Sequence, residues 1–184
     1  MPSGAIVGRG VTLQATAAVA PGTVLTVEMR LPGGVWVQTA SAVTAADGGF
    51  KASWVPRQVG RFELRVRPVD GAAASDSTPA VDLGQTSFTV YRLQRATWYG
   101  PGLFGNRTAC GQKLTRHLVG VAHRTLPCGT KVAISYRGKT LETVVVDHGP
   151  FVRGVKWDLT QAASRVLGMT GTTRIGVVDL PPAG

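Results

Sequence analysis

Apolar and polar residues alternate along six segments in the first half of the chain. In one of them, FELRVRPV, the side chains of Phe62, Leu64 and Val66 would lie on one face of a strand and the intervening charged side chains on the other. Turn-forming runs such as PGT, LPGG and AADGG separate the segments. The pattern therefore predicts six strands, in the segments VTLQATAAV, TVLTVEMRL, VWVQTASAVT, GFKASWV, GRFELRVRPV and TSFTVYR.

Six strands joined by short turns are typical of a small immunoglobulin-like β-sandwich, and we predict this fold for residues 1–92. The polar segment DGAAASDSTPAVDLGQ predicts a loop before the sixth strand. Trp36 and Trp54 lie in predicted strands and could form a platform for sugars. A core position for one and a partly buried position for the other is the simpler interpretation.

The pattern changes near Tyr91 to Arg95, where the chain becomes basic. The segments HLVGVAH, TKVAISYRG, KTLETVVVD and TTRIGVVDL predict further strands, with a hairpin turn at YRGK. WDLTQAASRVLG predicts one helix, capped at its start by Asp158 with Gln161 as reciprocal partner, and at its end by Gly168. The apolar stripe of this helix would consist of Leu159, Ala162, Ala163 and Val166. Residues 93–184 are therefore predicted to form a second domain, mainly β with one short helix.

Charge is distributed unevenly between the halves. Residues 1–92 contain eight Lys or Arg and six Asp or Glu, whereas residues 93–184 contain twelve and four. A basic second half favours an anionic or polar polymer as its partner. Nucleic acid is disfavoured, because the aromatic motifs of the modules that read it are absent from the sequence.

No run of apolar residues approaches the length of about eighteen that a membrane span requires. The start of the sequence, MPSGAIVGRG, has no basic region followed by an apolar core, as a signal peptide would have. Two interpretations follow, a cytoplasmic protein or the mature part of an exported one. In either case we expect a monomer.

Cys110 and Cys128 are the only cysteines. A zinc site would require four closely spaced ligands, and the sequence has neither a Cys-x-x-Cys pair nor paired histidines to supply them. We therefore predict no metal and no other cofactor. The two cysteines are either buried free thiols or a disulfide, and their number alone does not decide between these.

Three motifs in the second half are more specific. ATWYGPGLFGNRTACG, VAHRTLPCGTKV and VVVDHGPFVRGVKWDLTQAASRVLGM resemble, in this order, the double-psi β-barrel domain of the rare lipoprotein A family, over about residues 95–180. Expansins and barwin-like proteins share that barrel. The resemblance implies a six-stranded double-psi β-barrel, a secreted or cell-wall location, and lytic transglycosylase activity on peptidoglycan, whose anionic polymers would suit the basic half.

The resemblance also implies the site residues. The family's catalytic aspartate corresponds to Asp147 and its active-site histidine to His123, while its glutamate is replaced by Gln112. Cys110 stands where the family has asparagine, and His148 where it has arginine. Both cysteines lie in the matched motifs, so the resemblance favours a Cys110–Cys128 disulfide that ties two site segments together. Such a bridge implies an oxidising compartment.

A glutamine at position 112 limits the chemistry but does not exclude it. In lytic transglycosylation the attacking group is the 6-hydroxyl of the substrate itself, so one carboxyl can protonate the leaving oxygen and then accept the hydroxyl proton. Asp147 would be this acid and base if its pKa were raised, with His123 as support and Gln112 as a polar positioning group. The alternative is a non-catalytic, expansin-like wall-binding module, in which the missing glutamate marks the loss of activity.

The remaining polar residues receive simpler predictions. Glu142 and Asp179 are expected to be solvated, Asp158 to cap the helix, and His117 and His148 to lie at the surface. The sandwich could dock another envelope protein.

Six residues are predicted to bind substrate. They are the aromatic Trp98 and Tyr99 and the basic Arg107, Lys113, Arg124 and Arg153. The two aromatic residues could stack on sugars, although Trp98 could equally be a core residue.

Overall fold

A computed structural model describes residues 3–69 and 84–180 of the chain. It divides into two compact units, unit 1 at Met1–Val90 and unit 2 at Tyr91–Gly184. Residues 70–83, most of the segment predicted as a loop, lie outside the described residues.

All six strands predicted for the first half are present, and a short additional strand precedes them. The strands are β1 (Gly4–Ile6), β2 (Val11–Thr16), β3 (Val24–Arg30), β4 (Trp36–Val43), β5 (Gly49–Trp54), β6 (Gly60–Pro68) and β7 (Gln85–Tyr99). The sheet of unit 1 has the antiparallel order β7-β6-β3-β4, and β2 and β5 form a separate antiparallel pair. Phe62, Leu64 and Val66 are buried, as the alternation predicted.

One hydrophobic core joins the two sheets of unit 1. It contains Leu13 and Phe50 from the β2–β5 pair together with Leu25 and Phe88 from the larger sheet. Trp54 belongs to this core, with only 8% of its surface exposed. Trp36 is partly buried, and the guanidinium of Arg65 lies 4.1 Å from the centre of its ring. The simpler interpretation of the two tryptophans is therefore confirmed.

Unit 2 is a closed barrel of six strands. Its further elements are β8 (Val121–Ala122), β9 (Lys131–Tyr136), β10 (Lys139–Asp147), β11 (Trp157–Thr160), α1 (Gln161–Leu167) and β12 (Thr173–Asp179). The later residues of β7 pair in parallel with β11 and antiparallel with β12. The ring continues from β11 through β8, β10 and β9 back to β12, with β8 and β10 parallel. The barrel core is apolar and includes Val121, Ile134, Val145 and Ile175.

The start of the helix differs from the prediction. Asp158 does not cap it, because residues 157–160 form strand β11 and the helix begins at Gln161. Its N-cap is Thr160, whose hydroxyl accepts the N–H of Ala163 at 3.3 Å. The predicted stripe is also wrong at Val166, which is 48% exposed. The predicted C-cap is confirmed: Gly168 has the left-handed conformation, φ 72°, that favours glycine.

Candidate functional site

Two carboxyl groups lie in one row across the barrel. Asp147 at the end of β10 pairs with Ala122 of β8, and Ala122 pairs on its other side with Asp158 of β11. The two aspartates are therefore in register and separated only by a strand that presents a small side chain. Side chains on adjacent strands at one level point to the same face of a sheet. This register explains how residues eleven positions apart in sequence reach one site.

Two backbone N–H groups hold the Asp147 side chain. Its Oδ1 accepts hydrogen bonds from the N–H of Ala109 at 2.8 Å and from the N–H of His148 at 2.9 Å. The first of these comes from a loop 38 residues earlier in the chain, and the second from the residue that follows Asp147. These two hydrogen bonds to one oxygen therefore hold the Asp147 carboxylate in a fixed orientation.

Asp158 has a different environment. Its Oδ1 is buried and has no hydrogen-bond partner among the described residues. Burial, and next the negative charge of Asp147, raises the pKa of Asp158 to about 7. A carboxyl group with this pKa is partly protonated near neutral pH, as a general acid must be.

Tyr99 completes the polar centre of the site. The pKa of its hydroxyl is raised chiefly by burial. The negative charge of Asp147 and a side-chain interaction with that carboxylate raise it further. The hydroxyl has no hydrogen bond of good geometry to a described residue, so its contact with Asp147 is loose. It therefore stays protonated at neutral pH and can donate to a ligand oxygen.

These groups line a pocket of about 310 Å³. One wall is the loop between β7 and β8, where Gly105 and Leu114 are joined by a backbone hydrogen bond and Thr108 N–H donates to the carbonyl of Gln112 at 2.8 Å. The turn of this loop contains Gly111 at φ 87°. The pocket is lined by Tyr99, Ala122, Asp147 and Asp158, by the loop residues Leu103, Asn106, Arg107, Thr108 and Leu114, and by His148 to Val152.

A disulfide ties the same loop to the barrel. Cys110 is bonded to Cys128, which confirms the bridge that the resemblance favoured. Cys110 directly follows Ala109, whose N–H binds Asp147. The bridge therefore restrains the loop beside the hydrogen bond that orients the carboxylate.

The structure does not bring the side chains of His123 and Gln112 into the pocket. The His123 backbone N–H donates to the Asp147 carbonyl at 3.1 Å, but its Nδ1 accepts the N–H groups of Thr125 and Leu126. Its ring lies 4.4 Å from that of Trp157, between centres. Burial, followed by the positive charge of Lys156, lowers the pKa of His123, so it is neutral with its proton on Nε2.

Gln112 is exposed and has a local partner. Its Oε1 accepts the hydroxyl of Thr108 at 3.2 Å, within the turn of the loop. Thr108 lines the pocket whereas Gln112 does not. In this arrangement Gln112 supports the loop and reaches the site only through Thr108.

The predicted substrate-binding residues separate into two groups. Tyr99 and Arg107 line the pocket. Trp98 packs against the barrel core, and Lys113 and Arg153 are exposed outside the pocket lining. Arg124 donates hydrogen bonds to the backbone carbonyls of Pro150, Val152 and Val155.

Sequence reasoning missed Asp158 as a site residue and expected His148 only at the surface. His148 is exposed, but it also lines the pocket. A signal for Asp158 was available, since Lys156, Asp158 and Thr160 alternate with apolar residues as in a strand. The capping pattern at the start of the helix concealed it.

Among the side chains of residues 3–69 and 84–180, no three of His, Cys, Asp or Glu cluster so that they could hold a metal ion. No helix among these residues is long and apolar enough to cross a membrane.

Comparison with known proteins gives one family match, which lies within unit 2, and matches to longer curated proteins. Residues 93–180 match the protein-family model described as "Lytic transglycolase". A Synechocystis protein named "Probable endolytic peptidoglycan transglycosylase RlpA" is 34% identical over 106 residues, which are 55% of this chain and 33% of that protein. The "Endolytic peptidoglycan transglycosylase RlpA" of Pseudomonas aeruginosa is 32% identical over 141 residues, which are 71% of this chain and 41% of that protein.

The chain thus spans less than half the length of these two curated relatives. Among solved structures, the Streptomyces papain inhibitor is similar with a TM-score of 0.39 and 26% identity, over 47% of this chain and 91% of that one.

The raised pKa of Asp158 predicts that this residue lowers stability as pH rises. The folded state binds the proton more tightly than the unfolded state, whose pKa is near 3.8, so the free energy of unfolding should fall between pH 4 and about 7. Asp158→Asn should match wild type near pH 4 and become the more stable protein at pH 8. Thermal melts across this range measure the difference, with Asp179→Asn, an exposed carboxylate on β12, as control. A constant difference at all pH values would contradict the assignment.

The disulfide should contribute to stability chiefly by restricting the unfolded chain. Its cysteines are 18 residues apart in sequence. For a loop of this length the chain-entropy model gives about 3 kcal/mol, so Cys110→Ala/Cys128→Ala should lower the free energy of unfolding by that amount. Guanidinium unfolding of the whole chain measures it. A reductant should destabilise wild type similarly and leave the double variant unchanged; equal stability of both proteins without reductant would refute the prediction.

Proposed function

We propose that unit 2 is a lytic transglycosylase that cleaves the glycan strands of peptidoglycan. The observation that carries the proposal is the pair Asp147 and Asp158 in one pocket, where the pKa of Asp158 is raised to about 7. The match of residues 93–180 supports the reaction class. The excess of basic over acidic residues in the second half suits an anionic wall polymer.

The first step needs a proton donor at the glycosidic oxygen. Asp158 is the group suited to this role, because its environment favours the protonated form. As the bond from the anomeric carbon to the bridging oxygen breaks, the Asp158 proton moves to that oxygen, which leaves as the hydroxyl of the departing strand. The positive charge that develops on the sugar lies beside the Asp147 carboxylate, which stabilises it electrostatically.

The second step closes a ring within the substrate. The 6-hydroxyl of the same sugar attacks the anomeric carbon, and its proton passes to Asp147. The product is a 1,6-anhydro sugar, and proton exchange with solvent restores protonated Asp158 and ionised Asp147. Because the nucleophile is tethered to the reacting sugar, no bound water and no third carboxyl are needed. In this scheme Asp147 keeps the role of base and Asp158 takes that of acid.

The proposal extends to fold and location. A closed barrel with two parallel pairs among its six strands supports a double-psi topology for unit 2. The two sheets of unit 1 with a shared core support an immunoglobulin-like sandwich. A peptidoglycan substrate places the protein outside the cytoplasmic membrane, where a disulfide persists. We expect a monomer, and docking of another envelope protein by unit 1 stays a prediction that a pull-down with the whole chain can test.

The second candidate function is wall binding without catalysis, and Gln112 is the observation that favours it. This position corresponds to the glutamate of the resembled family, and the glutamine bonds only within its own loop in the described residues. A binding module would retain the basic surface and the pocket while releasing no product.

Product analysis separates the two candidates. Wild type incubated with sacculi should release 1,6-anhydro products detectable by mass spectrometry. Asp158→Asn and Asp147→Asn should each reduce release by a factor of roughly 10² to 10⁴, the usual contribution of an acid or base, while binding to sacculi is retained. Glu142→Gln, an exposed acid on β10, is the matched control and should stay active. Binding without any product from wild type would overturn catalysis and favour the wall-binding module.

The pH profile tests the assignment of the acid. Activity requires protonated Asp158, so the rate should decline as pH rises through about 7. Any residual activity of Asp147→Asn should decline at a lower pH, because the charge that helps to raise the pKa of Asp158 has been removed. Initial rates of product release between pH 4 and 9 measure both midpoints. An unchanged midpoint in the Asp147→Asn variant would mean that another group is the acid.

A further inference from the structure

Phe151 lies at the rim of the pocket and is 84% exposed. It is the most exposed large apolar side chain among the described residues. Its neighbour Val152 is 61% exposed and also lines the pocket. An aromatic ring is thus presented to solvent in the lining of the pocket that contains the two carboxyl groups.

The backbone around Phe151 is held by one side chain. Arg124 donates from Nε to the carbonyl of Pro150 and from Nη2 to the carbonyl of Val152, at 2.8 Å for the latter. The same Nη2 lies 3.4 Å from the carbonyl of Val155. These acceptors lie on both sides of Phe151, so the guanidinium fixes the segment that carries the ring. A lysine has no planar fork of donors with which to replace these contacts.

One edge of the ring lies near Gly149. A side chain at that position would have its Cβ 3.7 Å from Cε2 of Phe151. Because Phe151 is 84% exposed, most of its ring is available to pack against a flat apolar surface.

The size of the pocket indicates what would occupy this platform. At about 310 Å³ it is at the lower end of ligand-site volumes, so a polymer bound there must continue past its rim. A sugar ring has apolar C–H faces that pack on aromatic rings and a polar edge of hydroxyl groups. Phe151 offers the first type of contact, and Asn106 and Arg107 in the lining offer the second.

We propose that Phe151 is a stacking platform for a sugar ring of the glycan strand adjacent to the cleaved linkage, and that Arg124 is a positioning residue for the segment that carries it. This inference rests on the proposed function, because the glycan strand is the substrate of that site. The sequence predicted that Arg124 binds the substrate directly. In this proposal Arg124 instead holds the backbone that carries Phe151.

Kinetics with soluble, uncrosslinked glycan strands test the platform. Phe151→Ala should raise KM by roughly 3- to 10-fold, the range expected for loss of one aromatic contact, and should change kcat less. Phe151→Trp should restore KM. Val35→Ala in unit 1, where an apolar side chain is 62% exposed, is the control for removal of surface apolar area. An unchanged KM for Phe151→Ala would overturn the platform.

Arg124 requires a test that separates positioning from general destabilisation. Arg124→Lys should also raise KM. The double variant Arg124→Lys/Phe151→Ala should have the same KM as Phe151→Ala alone, because both substitutions remove the same contact between Phe151 and the sugar. Arg174→Lys, an exposed arginine on β12, is the matched control. Additive effects in the double variant would refute positioning through Phe151.

A binding experiment keeps this inference distinct from the proposed function. Stacking on Phe151 should shift glycan proton resonances upfield through the ring current, and Phe151→Leu should abolish the shift while the variant remains folded. If wild type binds glycan with these shifts but makes no anhydro product, the proposed reaction fails and the platform stands. Binding without the shifts, or no binding of glycan at all, would overturn the platform.

Discussion

Strand β8 contains only Val121 and Ala122, yet it pairs with β10 on one side and with β11 on the other. Removal of these pairings would open the ring of six strands, because β8 is the strand that joins β10 to β11 in the part of the chain that the structure describes. The same pairings set Asp147 and Asp158 in one row. The pairings that close the barrel are thus the same ones that bring the two carboxyl groups together. The side chain of Ala122 between them is small, and it lines the pocket.

The site combines groups that would be unfavourable elsewhere in the fold. Asp158 has a buried oxygen to which no group in residues 3–69 or 84–180 donates a hydrogen bond, and a second acid lies nearby. Both features disfavour its ionised form and thereby reduce stability at neutral pH. The apolar barrel core and the disulfide supply the stability that offsets this cost. The raised pKa that lowers the stability of the fold at neutral pH is the same property that suits Asp158 to the proposed role of acid.

The walls of the pocket are held from outside the barrel strands. On one side the disulfide and the hydrogen bond from Ala109 fix the loop before β8. On the other side Arg124 fixes the segment from Pro150 to Val155 through backbone carbonyls. One wall is thus restrained by a covalent bridge and a backbone N–H, and the other by hydrogen bonds to its backbone carbonyls.

Elements that depend on neighbouring residues could be predicted from the local pattern of the chain. The six predicted strands of the first half, the hairpin at YRGK and the Gly168 cap follow from alternation and turn chemistry, which act over a few residues. The resemblance of three motifs predicted Asp147 as a site residue, and Asp147 lines the pocket. The structure bears out the pairing of the cysteines that the resemblance favoured. These features needed no knowledge of distant contacts.

The strand at residues 157–160 and the make-up of the pocket depend on contacts between residues that are distant in sequence. Residues 157–160 become a strand because β7 and β8, far away in sequence, offer hydrogen bonds on both sides, and this outweighs the local capping pattern. That change turns Asp158 from a helix cap into the partner of Asp147. His123 was expected at the site, but its ring is held by the turn to Leu126 and by Trp157. A proton-transfer site depends on burial and on the distance between charges, and both are set by pairing between strands that the local sequence does not specify.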